Sequence, residues 1–184
     1  SIIGNYLLDN IIKEMGIEHP NEILNQLNID IQISLNRQEE GNINFDGMDI
    51  ALCSIEGNKL EYAGAFRPLI LIQKDGTLNE IRGNRFSIGS GNRSFINKKF
   101  QNHELYLKPY DKIYLFSDGY ADQFGGAKNK KFMVSNFKKL LLSIAELPPE
   151  AQKIQLEITL NEWKKDLEQI DDILVMGIKY MGND

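Results

Sequence analysis

Ile113-Tyr114-Leu115-Phe116-Ser117-Asp118-Gly119 begins as a short apolar run and ends in a turn tripeptide. The run reads as a buried strand, and Ser-Asp-Gly reads as its exit. Upstream, Met48 to Ile55 and Leu60 to Ala65 flank Glu56-Gly57-Asn58-Lys59, a hairpin because Gly and Asn tolerate positive φ. Pro68 to Gln73 and Thr77 to Ile81 flank Lys74-Asp75-Gly76 in the same manner, and Phe100 to Leu107 with the Pro109-Tyr110-Asp111 turn predicts a third hairpin with the run at 113–116. Before these strands, apolar residues at helical spacing predict one helix from Ile2 to Met15, closed by Gly16, and a second opening at His19-Pro20-Asn21 and running to Leu35. Residues 37–46 are polar and read as a loop, and 82–99 as a long irregular connection with a functional role. After the Ser-Asp-Gly exit come helical patterns over Val134 to Leu147 and Pro149 to Glu168, then a last buried strand over Ile173 to Tyr180. Helices, antiparallel strands, helices and a strand in that order predict an α+β fold rather than an alternating parallel one.

The chain has 184 residues, 42% hydrophobic and 26% charged, with a formal net charge of -5. That length suits one soluble domain able to bury roughly 70% of its unfolded surface. The single Cys53 excludes an internal disulfide and favours a reducing compartment, hence a cytoplasmic location. No apolar run approaches the roughly 20 residues that span a bilayer. The acidic balance, with no basic face interleaved with aromatics, argues against a nucleic-acid partner. Lys128, Lys130, Lys131, Lys138 and Lys139 read as a solvated face. The chain opens inside or at the edge of a helix without an initiator Met, and is read as N-terminally truncated or processed.

Only His19 and His103 are available, and neither has a partner at metal or triad spacing, so zinc and Ser-His-Asp chemistry are disfavoured. Gly125-Gly126-Ala127-Lys128 lacks the context of a phosphate loop. Cys53, mid-strand among apolar neighbours, reads as a packed hydrophobe. Carboxylates stand out instead. Asp118 lies just past a buried strand and before Gly119, while Asp171 and Asp172 immediately precede Ile173-Leu174-Val175. Carboxylates delivered from strand ends on one sheet edge could form an oxygen-only site for Mg²⁺ or Mn²⁺. Each motif alone reads equally as a turn or a polar loop. Asp46-Gly47-Met48-Asp49 is read as loop chemistry.

Asp46 to Leu52, Tyr62-Ala63-Gly64-Ala65, Ser87-Ile88-Gly89, Tyr114 to Gly126 and Gln169 to Val175 follow one another in a familiar order. The chain resembles the later part of a bacterial metal-dependent serine phosphatase of the sporulation stage II protein E and sigma-factor-regulator type, within the protein phosphatase 2C superfamily. The resemblance runs from Ser1 to about Tyr180. It implies an αββα sandwich of antiparallel sheets flanked by helices, its N-terminal part missing, with a binuclear Mn²⁺ or Mg²⁺ centre at one end. It places metal-ligand roles on Asp118 and Asp171, with Asp172 and Gly119 supporting them. The implied reaction is phosphoserine hydrolysis by a metal-activated water, without a covalent phosphoenzyme.

Family members also carry, further upstream, a Gly-Asp strand-end motif and an Asp-x-x-Gly-His-Gly motif, and neither occurs here. The chain is therefore expected to hold about half the metal site and, alone, to be weakly active or inactive. Missing strands would leave sheet edges that a second copy could cover as a homodimer. Ala65-Phe66-Arg67-Pro68 departs from the Ala-Asn-Asn-Pro of the nearest relatives. The implied partner is a phosphoserine protein, by analogy an anti-sigma-factor antagonist, under control of an upstream sensory region. The alternatives are a non-catalytic regulatory or binding module that retains the fold and, more remotely, an unrelated metal hydrolase or structural domain.

Overall fold

Proline in a first helical turn forgoes only an N–H that has no partner within the helix, and Pro20 opens a helix on those terms. In the computed structural model, which describes residues 2–36, 47–90 and 98–182, the helices are α1 (Ile2–Asp9), α2 (Pro20–Asn36), α3 (Gly119–Asp122), α4 (Val134–Ile144) and α5 (Pro149–Lys164). The strands are β1 (Ile50–Glu56), β2 (Lys59–Ala65), β3 (Leu69–Ile72), β4 (Leu78–Ile81), β5 (His103–Tyr106), β6 (Lys112–Phe116), β7 (Phe124–Gly125), β8 (Lys130–Lys131) and β9 (Val175–Lys179). The expected loop at 37–46 and the middle of the 82–99 connection lie outside the described residues. Antiparallel sheets with segregated helices make the chain α+β, as its residue order predicts.

The chain divides into two compact units, one of residues 1–69, 81–107 and 183–184, the other of 70–80 and 108–182. In the first, α1 does not continue to Met15 as periodicity predicts. A π turn over Asn10–Glu14 follows it, and the Met15 N–H reaches back to the Asn10 carbonyl at 3.1 Å. The wider turn shifts the helical register. Ile11 is fully buried, while Ile12 and Met15 turn to solvent, 44% and 48% exposed. The sheet has the order β1-β2-β5. β1 and β2 form the expected hairpin, Ile50 opposite Ala65 and Glu56 opposite Lys59, around Gly57 at φ 57°. Ile23, Leu24 and Leu27 of α2 join Ala63, Ala65, Ile88 and Phe100 in this unit's core.

The second unit carries a sheet of order β4-β3-β6-β9. β3 is buried throughout, and Ile70, Ile72, Tyr114 and Phe116 pack with Tyr120, Phe137 and Leu141. The third expected hairpin does not form. β5 pairs with β2, Tyr62 opposite His103, and β6 lies between β3 and β9. The intervening turn accounts for this. Tyr110 takes φ 76°, and the buried Asp111 carboxylate accepts the N–H groups of Lys108 at 2.9 Å and Lys74 at 3.3 Å. The turn is thus tied to the β3–β4 connection instead of folding back on β5, whose end is held by a Leu107 N–H bond to the Asn58 carbonyl at 2.8 Å.

Two later boundaries also differ from expectation. α5 stops at Lys164, four residues short of Glu168, with Lys165 at φ 49°. Trp163 explains the stop: its carbonyl accepts the Gly126 N–H at 2.9 Å and its indole N–H reaches the Gln123 carbonyl at 3.0 Å. Gly125 and Gly126 have no side chains because Trp163 occupies that space. β9 begins at Val175 rather than Ile173, and it is an edge strand rather than a buried one, with Met176 49% exposed.

Candidate metal centre

β6 buries Ile113, Tyr114 and Phe116 in the core of the second unit, which fixes where the chain emerges. Ser117 is the joint at that exit. Its N–H donates to the Leu174 carbonyl at 3.0 Å, while its hydroxyl donates to the Asp172 carbonyl at 2.8 Å and accepts the Leu174 N–H at 2.9 Å. Asp118 is the N-cap residue of α3 and makes no side-chain capping bond to it. Gly119 closes the contact. A Cβ there would stand 2.5 Å from the Asp172 carbonyl oxygen and 3.0 Å from Ile173 Cγ1, so only hydrogen fits.

The segment that carries Asp171 and Asp172 is held from its other end by Gln123. This fully buried side chain donates through Nε2 to the Glu168 carbonyl at 2.9 Å. Asp171 Oδ1 accepts the Asp172 N–H at 2.7 Å, and the Asp171 carbonyl accepts from Gln169 Nε2 at 2.8 Å. Residues Gln169, Ile170, Asp171 and Asp172 line a surface cavity of about 330 Å³. Both aspartates are exposed.

The segment with Asp118 and Gly119 and the segment with Asp171 and Asp172, 53 residues apart in the chain, thus meet where Gly119 faces the Asp172 carbonyl. Two residues that organise the meeting carried no role in the sequence reading. The Ser117 hydroxyl was visible only as part of a tripeptide, and Gln123 gave no sequence signal because its use depends on where Glu168 ends up. Asp49, read as loop chemistry, is structural: its oxygens accept from Arg67 Nη2 at 3.1 Å and Ser87 Oγ at 2.6 Å. His19 Nδ1 donates to the Glu61 carboxylate at 2.8 Å, and this carboxylate holds the imidazole above its ordinary range. Burial pushes the Cys53 thiol up, away from the thiolate form. Lys131 pairs with Asp122 at 2.8 Å and Lys138 with Glu80 at 2.8 Å, so part of the lysine-rich stretch makes ion pairs.

The donors at the site are carboxylates, hard oxygens of the kind that suit Mg²⁺ or Mn²⁺. Among the described residues no three or more His, Cys, Asp or Glu side chains gather to hold a metal. A pair of carboxylates is a donor set with which Mg²⁺ commonly binds while keeping several waters.

The sequence pattern of the family described as Stage II sporulation protein E (SpoIIE) matches residues 5–180. The chain belongs to this family. Its fold is that of the protein phosphatase 2C superfamily, shared with the SiaA-PP2C domain of Pseudomonas aeruginosa at a TM-score of 0.83 and 26% identity, over 97% of this chain and 68% of that one. The PP2C phosphatase domain of SpoIIE from Bacillus subtilis, solved with a fragment of its regulatory domain, matches at TM-score 0.73 and 15% identity, over 100% of this chain and 50% of that one. The catalytic domain of the serine threonine protein phosphatase PstP, solved with 2 manganese ions, matches at TM-score 0.63 and 13% identity, over 98% and 82% of the two chains. The SpoIIE-family chain thus spans half the length of the Bacillus structure. No curated protein matches it in a sequence search. No helix among its described residues is long and apolar enough to cross a membrane.

Proposed function

We propose that this SpoIIE-family chain contributes the later half of the active site of a metal-dependent protein serine phosphatase, with Asp118 and Asp171 as ligands for Mn²⁺ or Mg²⁺. The observation that carries the reading is the Ser117 joint, which ties the Asp118 exit to the segment bearing Asp171 within a chain of phosphatase family. Asp118 and Asp171 present negative oxygens to the cation. Ser117 and Gly119 hold the two segments at one spacing, and Asp172 supports Asp171 through the N–H that its carboxylate accepts. When bound, the cation supplies acidification of a water nucleophile and neutralises charge at phosphorus. The substrate class is a phosphoserine protein, in bacterial signalling an anti-sigma-factor antagonist, and the location is the cytoplasm. As the chain spans 68% of the SiaA domain, the complete reaction is assigned to a longer catalytic domain, with sensory control upstream.

The test is Mn²⁺-dependent phosphate release from a phosphoserine protein, measured on the natural full-length protein and on the 184-residue chain. Activity in the full-length protein that is lost in Asp118→Asn and in Asp171→Asn supports the reading. Unchanged activity in either variant overturns the ligand assignment. A second reading, a regulatory binder that keeps the fold, is favoured by the absence of a three-ligand cluster among the described residues; inactivity of the full-length protein at saturating Mn²⁺ selects it.

A further inference from the structure

A cavity of about 710 Å³ lies in the second unit between α5 and the strands β6 and β9, and neither Asp118 nor Asp171 lines it. Its volume falls within the roughly 300–1,000 Å³ of small-molecule sites. α5 buries none of its residues fully, so its inner face borders this space rather than a closed core. The strand register gives the cavity a direction. Lys179, Gly177 and Val175 share one face of β9, opposite Lys112, Tyr114 and Phe116 of β6. One end is therefore polar, at Lys112 and Lys179. The other is apolar: Val175, Leu156 and Leu160 line the cavity and pack against the buried cluster that holds Phe116 and Tyr120. From Lys179 to Val175 the strand runs about 13 Å. Gly177, midway, leaves the floor without a side chain, as glycines within strands do where a ligand comes close.

The polar end carries excess positive charge. Lys112 and Lys179 are direct cross-strand partners, and like charges so placed repel. The Lys112 side chain is 4% exposed, a depth at which lysine needs an anion. One of its three ammonium protons serves Glu146, its side-chain acceptor among the described residues, on a residue itself 78% exposed. Lys179 stands over the Tyr110 ring at 5.3 Å, and Lys74 reaches the same ring at 5.0 Å. The Lys112 hydrogen bond first, then the charges of Lys112, Lys179 and Lys74, hold the Glu146 carboxyl below its ordinary range, so one carboxylate serves three cations. The buried Asp111 carboxylate is taken by backbone N–H groups, and the exposed Lys153 and Glu157 offset each other at 3.9 Å. We propose that the cavity binds a linear saturated carboxylate of about ten carbons, its head between Lys112 and Lys179 and its chain running past Gly177 to Val175 and Leu160. With C–C bonds near 1.5 Å, a chain of that length covers the distance from the polar to the apolar end. Glu146 already shows which head group Lys112 accepts. This binding role is separate from phosphoester hydrolysis and does not depend on it.

Isothermal calorimetry with decanoate, on the natural full-length protein and on the 184-residue chain, tests it. Both are expected to bind one decanoate and to melt at a higher temperature in its presence. Hexanoate, shorter by four methylenes, is expected to bind at least about tenfold more weakly. Lys179→Glu, a change on an exposed residue, is expected to weaken decanoate binding at least about threefold. Glu146→Gln removes the competing carboxylate while keeping an acceptor for Lys112. It is expected to tighten decanoate binding at least about threefold, a gain that damage to folding does not produce. Equal or tighter binding of decanol or decyltrimethylammonium, an affinity in either variant that is unchanged or moves the other way, or no binding at all overturns the proposal. Binding by the 184-residue chain alone also overturns it, because the rest of the longer catalytic domain then fills the cavity.

Discussion

Gly119→Ala puts a methyl group where the two segments of the carboxylate site cross. Gly119 does not have positive φ, so its backbone accepts alanine and the unfolded chain loses some freedom, worth about 0.4–1 kcal/mol in favour of folding. Against this stands the clash. The added Cβ would lie 2.5 Å from the Asp172 carbonyl oxygen, where ordinary contact starts at 3.4 Å. Asp172 cannot retreat as a side chain could, because the obstructing atom is backbone and is bonded by Ser117. Overpacking of this kind costs about 1–3 kcal/mol. The net loss of about 1–2 kcal/mol corresponds to a melting point lower by roughly 2–8 °C for a chain of this length. The same displacement moves Asp171 relative to Asp118, so Mn²⁺ affinity falls by more than the stability loss alone accounts for. Differential scanning fluorimetry gives the first quantity, and Mn²⁺ titration of the folded chain by isothermal calorimetry gives the second. A melting point within about 1 °C of wild type together with a superimposable Mn²⁺ isotherm would refute the reasoning, since the crossing at Gly119 would then not set the spacing of the carboxylates.

Ser117→Ala removes the donor to the Asp172 carbonyl and the acceptor for the Leu174 N–H; it is expected to cost about 1–3 kcal/mol and to weaken Mn²⁺ binding although every proposed ligand remains, and unchanged urea unfolding and Mn²⁺ titration would count against the joint. His19→Gln tests the contact between His19 and β2. The Glu61 carboxylate raises the His19 pKa, so the folded chain holds that proton more tightly, and the stabilisation is complete below the ordinary value of 6.5 and lost as pH rises through the folded value. The Glu61 pKa is lowered by Lys59 first and His19 next, so its share is present above the ordinary 4.5 and lost as pH falls through the folded value. His19→Gln should therefore lower the melting temperature more at about pH 5.5 than at about pH 8.5, and equal shifts at the two would exclude a charged pair.

The α+β class and most elements were legible because they rest on local patterns. The period of 3.6 before Asn36, the tight hairpins at Gly57 and Gly76, and Pro20 and Pro149 at helix starts are each written in a few adjacent residues. The π turn at Asn10–Glu14 was not legible, because a shift of helical register depends on what the faces pack against. Nor was the partner of β5. A short strand followed by Pro109-Tyr110-Asp111 looks like half of a hairpin, and only the capture of the Lys74 N–H by Asp111 shows that the turn closes elsewhere.

The candidate site divides along the same line. Asp118 and Asp171 were visible as carboxylates at the ends of apolar runs, since a strand's exit is a local feature. Sequence by itself determined the residue types, the α+β order and the membership of a phosphatase family over residues 5–180. Only the tertiary structure decided that Ser117, Gly119 and Gln123 join segments distant in the chain, and that Lys112 and Lys179 line one cavity. The physical reason is range: propensity and periodicity act over one or two turns of chain. A hydrogen bond from Ser117 to Asp172, or a glycine emptied of its side chain by a carbonyl 53 residues later, exists only after the backbone has been brought back on itself.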